Sequence, residues 1–284
     1  EASTSSSSSS SPSGPDLDAM HLHWRAKNME FHGDARGALA LLEEGVWRYP
    51  TNIYIGVSAA RLLSKLRPGD VGDAIALVER LHAQHPPAAQ SPRDLSVLLQ
   101  VWATLESERG ANGGSEGTGG AGGGGAGKAS SSCARELYQR AVEADPNHAA
   151  AWHGWAVYER TRGRTAKARR LFREARRCAP TRASTLQAWA LLEAEDRRYP
   201  EARRLFEEST TTRPRHAPSW QAWAIMEARL GNNGRAATLF KRGEEATRDA
   251  ARGIIRGGSG SGDVDGWGEG GEGGVGDYSM EGDK

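Results

Sequence analysis

The sequence from Ala149 to Arg248 repeats one pattern three times, and this repetition limits the possible folds more than any other feature of the chain. The copies begin at Ala149, Ala183 and Ala217, an interval of 34 residues. The recurring positions are Trp155, Trp189 and Trp223, the Leu-Phe pairs at 171–172, 205–206 and 239–240, and Pro146, Pro180 and Pro214. A fixed period of this length is typical of helical-repeat arrays.

Within one copy, the apolar residues have the spacing of two amphipathic helices. The first stripe is Trp152, Trp155, Ala156 and Glu159, and the second is Ala168, Leu171, Phe172 and Ala175. Gly163 lies between the stripes, where glycine can adopt the positive φ that closes a helix. Pro180 ends the second helix. Each copy is therefore predicted to be a helix–turn–helix hairpin that buries its stripes by stacking on its neighbours.

These recurring residues occupy the signature positions of a known repeat family. The residues that match tetratricopeptide repeats are Trp152, Trp155, Ala156, Ala168, Phe172, Ala175 and Pro180. Glu159, Glu193 and Glu227 stand where tetratricopeptide repeats usually have Tyr. Trp-Ala-x-x-Glu recurs at positions 102, 155, 189 and 223, and Ala-Arg at 134, 168 and 202. With these motifs the chain resembles the half-a-tetratricopeptide (HAT) repeat.

The resemblance implies an all-α fold, a right-handed α-α superhelix of about six helix–turn–helix repeats. Fainter copies lie at about 20–50 and 51–86, and a further one starts at Pro92. We therefore predict an array over residues 20–249. The predicted disordered segments are the Ser-rich stretch 1–19, a Gly-rich insertion at 110–130 and a Gly-rich acidic tail at 250–284. The chain starts at Glu1 rather than Met, which suggests a fragment or a processed form.

The motif side chains are expected to build the core of the array. The predicted core residues are Trp102, Trp152, Trp155, Trp189, Trp220, Trp223, Phe172, Phe206 and Phe240. The repeated acid at Glu159, Glu193 and Glu227 is too regular for an active site. It is expected to pair with Arg169, Arg203 or a neighbouring repeat.

Charge is unevenly distributed along the chain. The stretch 135–215 has 18 Lys or Arg and 11 Asp or Glu, a net of +7, and the tail from Gly257 has one Lys and seven acids, a net of −6. A basic array beside an acidic tail favours a polyanion partner. The alternative is that these arginines form a solvated helix face and pair with nearby glutamates.

Two functions follow from these features. The chain is closest in pattern to organellar, especially plastid, HAT-repeat factors, which implies a non-catalytic protein that binds single-stranded RNA and supports transcript maturation or stability in the plastid stroma. The alternative is a scaffold that binds protein partners in an RNA-processing complex, in the nucleus, or a tetratricopeptide-type adaptor.

The predicted RNA contacts lie on the first helix of each hairpin. The fifth position of this helix is His153, Gln187 and Gln221, which should form one column along the inner wall and contact bases. Arg160 and Arg229 would hold phosphates beside it. The alternative is that these positions are merely solvated.

Catalysis has little support in the sequence. Cys133 and Cys178 are single thiols without a partner at metal spacing. The eight histidines form no helical His pair around a glutamate. No apolar run approaches the roughly 18 residues that a membrane span needs. We therefore expect no enzyme activity, metal, cofactor, small-molecule substrate or membrane insertion.

Overall fold

A computed structural model describes residues 14–84, 91–112 and 124–255 of the chain. These residues form twelve α-helices in six consecutive hairpins, and the first and second helix of each hairpin are called helix A and helix B. The helices are α1 (Gly14–Phe31), α2 (Ala35–Arg48), α3 (Ile53–Leu66), α4 (Gly72–Gln84), α5 (Pro92–Asn112), α6 (Gly124–Ala144), α7 (Ala149–Thr161), α8 (Thr165–Cys178), α9 (Ala183–Glu195), α10 (Tyr199–Thr212), α11 (Ala217–Arg229) and α12 (Asn233–Ile255). The predicted all-α helical-repeat fold is confirmed. Among the described helices, none combines the length and hydropathy that crossing a bilayer requires.

The turn predicted at Gly163 is confirmed, because this residue has φ 71° between α7 and α8. The corresponding turn between α9 and α10 has Arg197 at φ 58° instead. A side chain is unfavourable in this left-handed conformation, so the hairpin of α9 and α10 contains local backbone strain.

Three predicted segment boundaries differ from the structure. Helix α1 begins at Gly14, inside the segment 1–19, because Pro15 is tolerated in a first helical turn and Ala19 is buried in the core. Helices α5 and α6 extend into the segment 110–130 and pack against each other. Helix α12 continues to Ile255. The rest of these segments, 1–13, 113–123 and 256–284, lies outside the described residues.

The chain divides into two compact units between Tyr158 and Glu159, inside α7. In the first unit, apolar clusters join one hairpin to the next. One cluster contains Ala19, Ala26, Ala38, Leu42, Ile55, Ala59 and Leu62, from α1, α2 and α3. Another contains Val57, Ala60, Val71, Ala74, Ile75, Val78, Leu81, Val97, Leu98, Val101 and Leu105, from α3, α4, α5 and the residue before α4.

A buried hydrogen bond accompanies these clusters in the first unit. The ring Nε2 of His23 in α1 lies 2.7 Å from Oγ of Ser58 in α3. Burial lowers the pKa of His23 to about 4, and the charge of Lys27 contributes to this shift, so the imidazole is neutral at physiological pH.

In the second unit, stacked aromatic side chains join the hairpins. The Phe172 ring of α8 stacks on Trp189 of α9 at 6.3 Å between centroids and an interplanar angle of 8°. Phe206 of α10 stacks on Trp223 of α11 at 6.2 Å and 9°. The motif phenylalanine of helix B is thus covered by the motif tryptophan of the next helix A.

The predicted core residues are mostly buried, with one exception. Buried residues are Trp155, Trp189, Trp220, Trp223, Phe172 and Phe206, and Trp102 and Trp152 are half-buried. Phe240 is 40 % exposed, so its assignment to the core is wrong. Phe240 lies in α12, the last described helix, where no described helix A follows to cover its ring.

Candidate binding surface

The motif glutamates of the second unit are buried and hydrogen-bonded. Glu193 in α9 accepts hydrogen bonds from Nε and Nη2 of Arg169 in α8, at 2.7 and 3.0 Å. Glu193 also accepts a 2.8 Å bond from the indole nitrogen of Trp189. Arg198, just before α10, lies 3.5 Å from the same carboxylate. We call this arrangement of one motif glutamate and its donors a Glu clamp.

Glu227 in α11 has the same arrangement one copy later. Arg203 in α10 donates two hydrogen bonds to it, at 2.7 and 2.9 Å, and Trp223 donates one at 3.2 Å. Asn232, just before α12, donates a further bond at 2.7 Å. Because the arginine belongs to one hairpin and the glutamate to the next, each Glu clamp joins two hairpins. The predicted pairing of motif glutamates with Arg169 and Arg203 is confirmed.

Ionisation in the second unit follows from these contacts. The Arg203 hydrogen bonds lower the pKa of Glu227 to about 2, against the opposing effect of burial, and Asn232 and Trp223 add to the shift. In the other Glu clamp, the hydrogen bonds to Glu193 raise the pKa of Arg169. The carboxylate of Glu227 is therefore a fixed structural anion at physiological pH.

Glu159 begins the second unit with a related pattern. Its carboxylate is buried and accepts a 2.9 Å hydrogen bond from Arg164, just before α8, and another of 2.9 Å from Lys167. Arg164, Arg198 and Asn232 precede helix B in their hairpins, and each lies against the motif glutamate of its own hairpin.

Many of the arginines behind the positive surplus at 135–215 are paired with carboxylates. Besides those of the Glu clamps, pairs lie on helix B at Arg176–Glu208, Arg177–Glu174 and Arg204–Glu201. Paired arginines contribute little to the long-range positive potential that attracts a polyanion. These contacts agree with the alternative in which the arginines form ion pairs on the helix faces.

The predicted RNA-contact residues of the second unit lie on helix A in different environments. Gln187 donates a 3.3 Å hydrogen bond from Nε2 to the carbonyl of Pro218 in α11. Gln221 is exposed on α11. Arg160 forms a 2.5 Å ion pair with Glu195 of α9, and this engages its guanidinium. Arg229 is exposed in the last turn of α11.

Apolar side chains that were not predicted from the sequence lie next to these glutamines. Leu191 and Ile225 follow Gln187 and Gln221 by four residues, which places them on the same helix face. Leu191 is half-buried, and Ile225 is 42 % exposed. Their recurrence at the 34-residue interval was visible in the sequence, but nothing there showed that Ile225 would be uncovered. The helix-A face of α9 and α11 thus combines amide and apolar groups.

The helix-A face of the first unit is polar and cross-linked. Lys65 of α3 donates to Glu30 of α1 at 2.9 Å. Ser64 donates to Glu108 of α5 at 2.6 Å, and Arg61 donates to Gln100 of α5 at 3.0 Å. His153 of α7 is half-buried in this unit. These bonds fix adjacent helices A relative to each other, and so preorganise the surface they form.

Within the described residues, no cluster of three His, Cys, Asp or Glu side chains is arranged to hold a metal ion. The single thiols Cys133 and Cys178 are both half-buried and unbridged.

Solved structures with a similar fold are tetratricopeptide-repeat and related proteins. A thermophilic tetratricopeptide-repeat protein of Thermus thermophilus is 18 % identical, covers 73 % of this chain and 98 % of its own, and has a TM-score of 0.61. PilF of Pseudomonas aeruginosa is 13 % identical, with coverages of 86 % and 100 % and a TM-score of 0.53. A tetratricopeptide-repeat protein of Parabacteroides merdae is 16 % identical, with coverages of 80 % and 78 % and a TM-score of 0.50. The chain has the tetratricopeptide-type fold.

No protein-family model and no curated protein sequence matches the chain.

Proposed function

We propose that this chain is a non-catalytic scaffold that binds an extended segment of a protein partner on the helix-A face of α9 and α11. The exposed side chain of Ile225, next to Gln221, is the observation that carries this proposal. An apolar group on a binding face favours a partner with apolar side chains of its own. The tetratricopeptide-type fold supports the same class of function.

The chemistry of the two glutamines suits a peptide backbone. Each primary amide has both a donor and an acceptor, so it can pair with the carbonyl and the N–H of an extended chain. Leu191 and Ile225 would contact side chains of the partner that project from the same stretch. We therefore expect the partner segment to carry apolar residues and little net negative charge.

The RNA hypothesis uses the same glutamines but needs cations beside them. Arg160 is paired with Glu195, and the Glu clamps engage Arg169 and Arg203, so these three guanidiniums already have carboxylate partners, whereas Arg229 is exposed. Single-stranded RNA is therefore the competing ligand in the experiment below. The plastid compartment, with the nucleus as its alternative, stays a prediction, and so does the finer HAT assignment, which the Glu clamps support.

The experiment selects ligands for the purified full chain from a random peptide-display library and, in parallel, from a random single-stranded RNA pool. We expect enriched peptides with apolar residues, and at least a tenfold loss of their affinity in the variant Gln187→Ala/Gln221→Ala/Ile225→Ser. The matched control is Arg204→Ala on the exposed face of α10, which should bind as the unaltered chain does. Enrichment of RNA motifs, with a steep fall of affinity in salt and no peptide enrichment, would reverse the assignment.

A further inference from the structure

The first described helix exposes an apolar stripe to solvent. On α1, Leu17, Met20, Trp24 and Phe31 recur with helical spacing on one face, and all four are exposed. Trp24 is the most exposed of the four, at 62 %. Exposed patches of large apolar side chains mark interaction surfaces, because soluble proteins seldom leave them open to water.

The last described helix, α12, exposes the face of a helix B that normally packs against the next helix A. Phe240 of α12 stands one and two copies after Phe206 and Phe172, which are fully buried under Trp223 and Trp189 of the next helix A. Helix α12 thus carries the face on which a helix A packs in the preceding copies.

The stripe on α1 lies on the face that, in later helices A such as α7, packs against the preceding helix B. Alignment of the turn glycines Gly33 and Gly163 places Trp24 at the position of Gly154 in α7. A β-carbon at Gly154 would lie 3.1 Å from the ring of Tyr138 in α6, the preceding helix B. The surface around Trp24 is therefore the one that a preceding helix B covers inside the array.

We propose that two copies of this chain associate end to end, with α12 of one copy packed on α1 of the next. Continuity with the interface between hairpins points to a second copy, because α12 presents the helix-B half and α1 presents the helix-A half. One chain carries both halves, so no other partner is needed to complete the contact. A heterologous contact of this kind joins copies head to tail, into a ring or an open chain.

The end contact differs from the internal one in its packing distance. The position of Trp24 is Gly154, Ala188 and Ala222 in later copies, where small side chains admit the motif aromatic of the preceding helix B. An indole at this position holds the incoming helix farther away, so fewer van der Waals contacts form. Association is accordingly weaker than the internal stacking, and it is reversible with concentration.

The test compares the full chain with Trp24→Glu and Phe240→Glu by sedimentation velocity over a concentration series. We expect the unaltered chain to show concentration-dependent growth beyond a dimer, and each variant alone to stay monomeric. An equimolar mixture of the two variants should give a 1:1 dimer that does not grow, because one intact α1 face meets one intact α12 face. A variant with glutamates on both faces should stay monomeric and should associate with neither single variant.

The controls separate this contact from misfolding and from general stickiness. Trp47→Glu changes a side chain of α2 that is 86 % exposed and lies outside the stripe, so it should leave the association unchanged. Ala237 of α12 corresponds to Arg203 of α10, which contacts the next helix A, so Ala237→Glu and, on α1, Met20→Glu should reproduce the two effects without removing an aromatic ring. A chain that stays monomeric at 100-fold the concentration used for binding would overturn the proposal. A Phe240→Glu variant that still dimerises, or a mixture that does not, would also overturn it. This result is independent of peptide binding on α9 and α11.

Discussion

The two units of the molecule join the same kind of hairpin in different ways. In the first unit, aliphatic clusters such as the one around Leu98 fill the space between hairpins. In the second, a stacked Phe-Trp pair and a buried carboxylate are added to buried aliphatic side chains such as Leu205, as at Phe206, Trp223 and Glu227. Dispersion and burial tolerate small shifts between helices, but a bidentate Arg-carboxylate pair does not. The helical hairpin therefore does not dictate how its neighbours are attached.

Helix starts show the same contrast. Asp34 caps α2, a helix B of the first unit, by accepting a backbone N–H bond. Arg164 and Arg198 hold the corresponding position before α8 and α10 and make no side-chain cap. They contact the motif glutamate instead, so the second unit uses this position for the Glu clamp.

The largest expected effect comes from removing a stacked tryptophan. Trp189→Ala should destabilise the second unit by about 4–5 kcal/mol, because it leaves a cavity over Phe172 and deprives Glu193 of a donor. Hydrogen exchange should show lost protection in α8 to α10 and unchanged protection in α1 to α4. The control Trp47→Ala should cost less than about 0.5 kcal/mol. Equal loss of protection in both units would contradict the separation.

The Glu clamp should show a cost that a second substitution reverses. Glu227→Leu leaves Arg203 without its carboxylate partner and should lower the free energy of unfolding by about 3–4 kcal/mol in urea titrations. Adding Arg203→Met should return the stability to within about 1 kcal/mol of the unaltered chain, since an apolar pair replaces a buried ion pair. In the first unit, Leu98→Ala leaves a cavity rather than an unpaired charge, so no single second substitution should restore the stability in the same way. If the double variant is as unstable as the single one, the ion pair does not act as a unit.

Acid should weaken each unit as buried groups with lowered pKa values gain protons, and His23 and Glu227 have the largest such shifts that can be assigned to one side chain in each unit. The unfolded chain protonates His23 near pH 6.5 and the folded chain near 4, so the first unit loses stability as the pH falls through this range. The folded pKa of Glu227 is about 2 against 4.5 in the unfolded chain, so the second unit loses stability between about pH 4.5 and 2. Each loss should amount to at most about 3 kcal/mol.

Unfolding in urea at pH 7, 5 and 3, resolved by unit, measures both losses. His23→Leu should reduce the loss of the first unit in the upper range, and Glu227→Gln should reduce the loss of the second unit in the lower range. A single acid transition that neither variant moves would show that other groups control the response.

The smallest expected effect concerns the turns. Arg197→Gly should stabilise the hairpin of α9 and α10 by about 1 kcal/mol, because glycine accepts φ 58° without steric cost. Gly33→Arg in the first unit, at φ 90°, should lower stability by a similar amount. Thermal unfolding of both variants measures the two changes in stability. A destabilised Arg197→Gly variant would mean that the arginine side chain has a stabilising contact.

Some of this architecture could be predicted from the sequence because it repeats. The turn at Gly163 and the pairs Arg169–Glu193 and Arg203–Glu227 follow from residues that recur at a fixed interval. Contacts such as Arg61 with Gln100 join residues 39 apart in copies too divergent to align, and no local pattern signals them. Periodicity also cannot show which copy is the last, so Phe240 was predicted to be buried.

The candidate surface was predicted less well than the fold. The net charge of +7 already subtracts the acids of this stretch, but it does not show which arginines are held against carboxylates, as Arg169 is at Glu193 and Arg203 at Glu227. Gln187 and Gln221 were selected from helix position alone, and their role in binding stays a prediction. Ile225 was missed because its exposure depends on what packs around α11 rather than on its own residue type.

The Glu clamp also bears on how such an array gains and loses copies by gene duplication. Each 34-residue copy contributes its tryptophan and glutamate to the contact with the copy before, and its arginine to the contact with the copy after. Duplication or deletion of a whole copy therefore leaves every buried carboxylate with its cation, but a change by part of a copy leaves one without. The last copy has Ala237 where the others have Arg169 and Arg203, so the described array ends without a surplus arginine. A change of array length by whole copies within the second unit should therefore cost little stability, whereas a change by part of a copy should cost the energy of one unpaired buried charge.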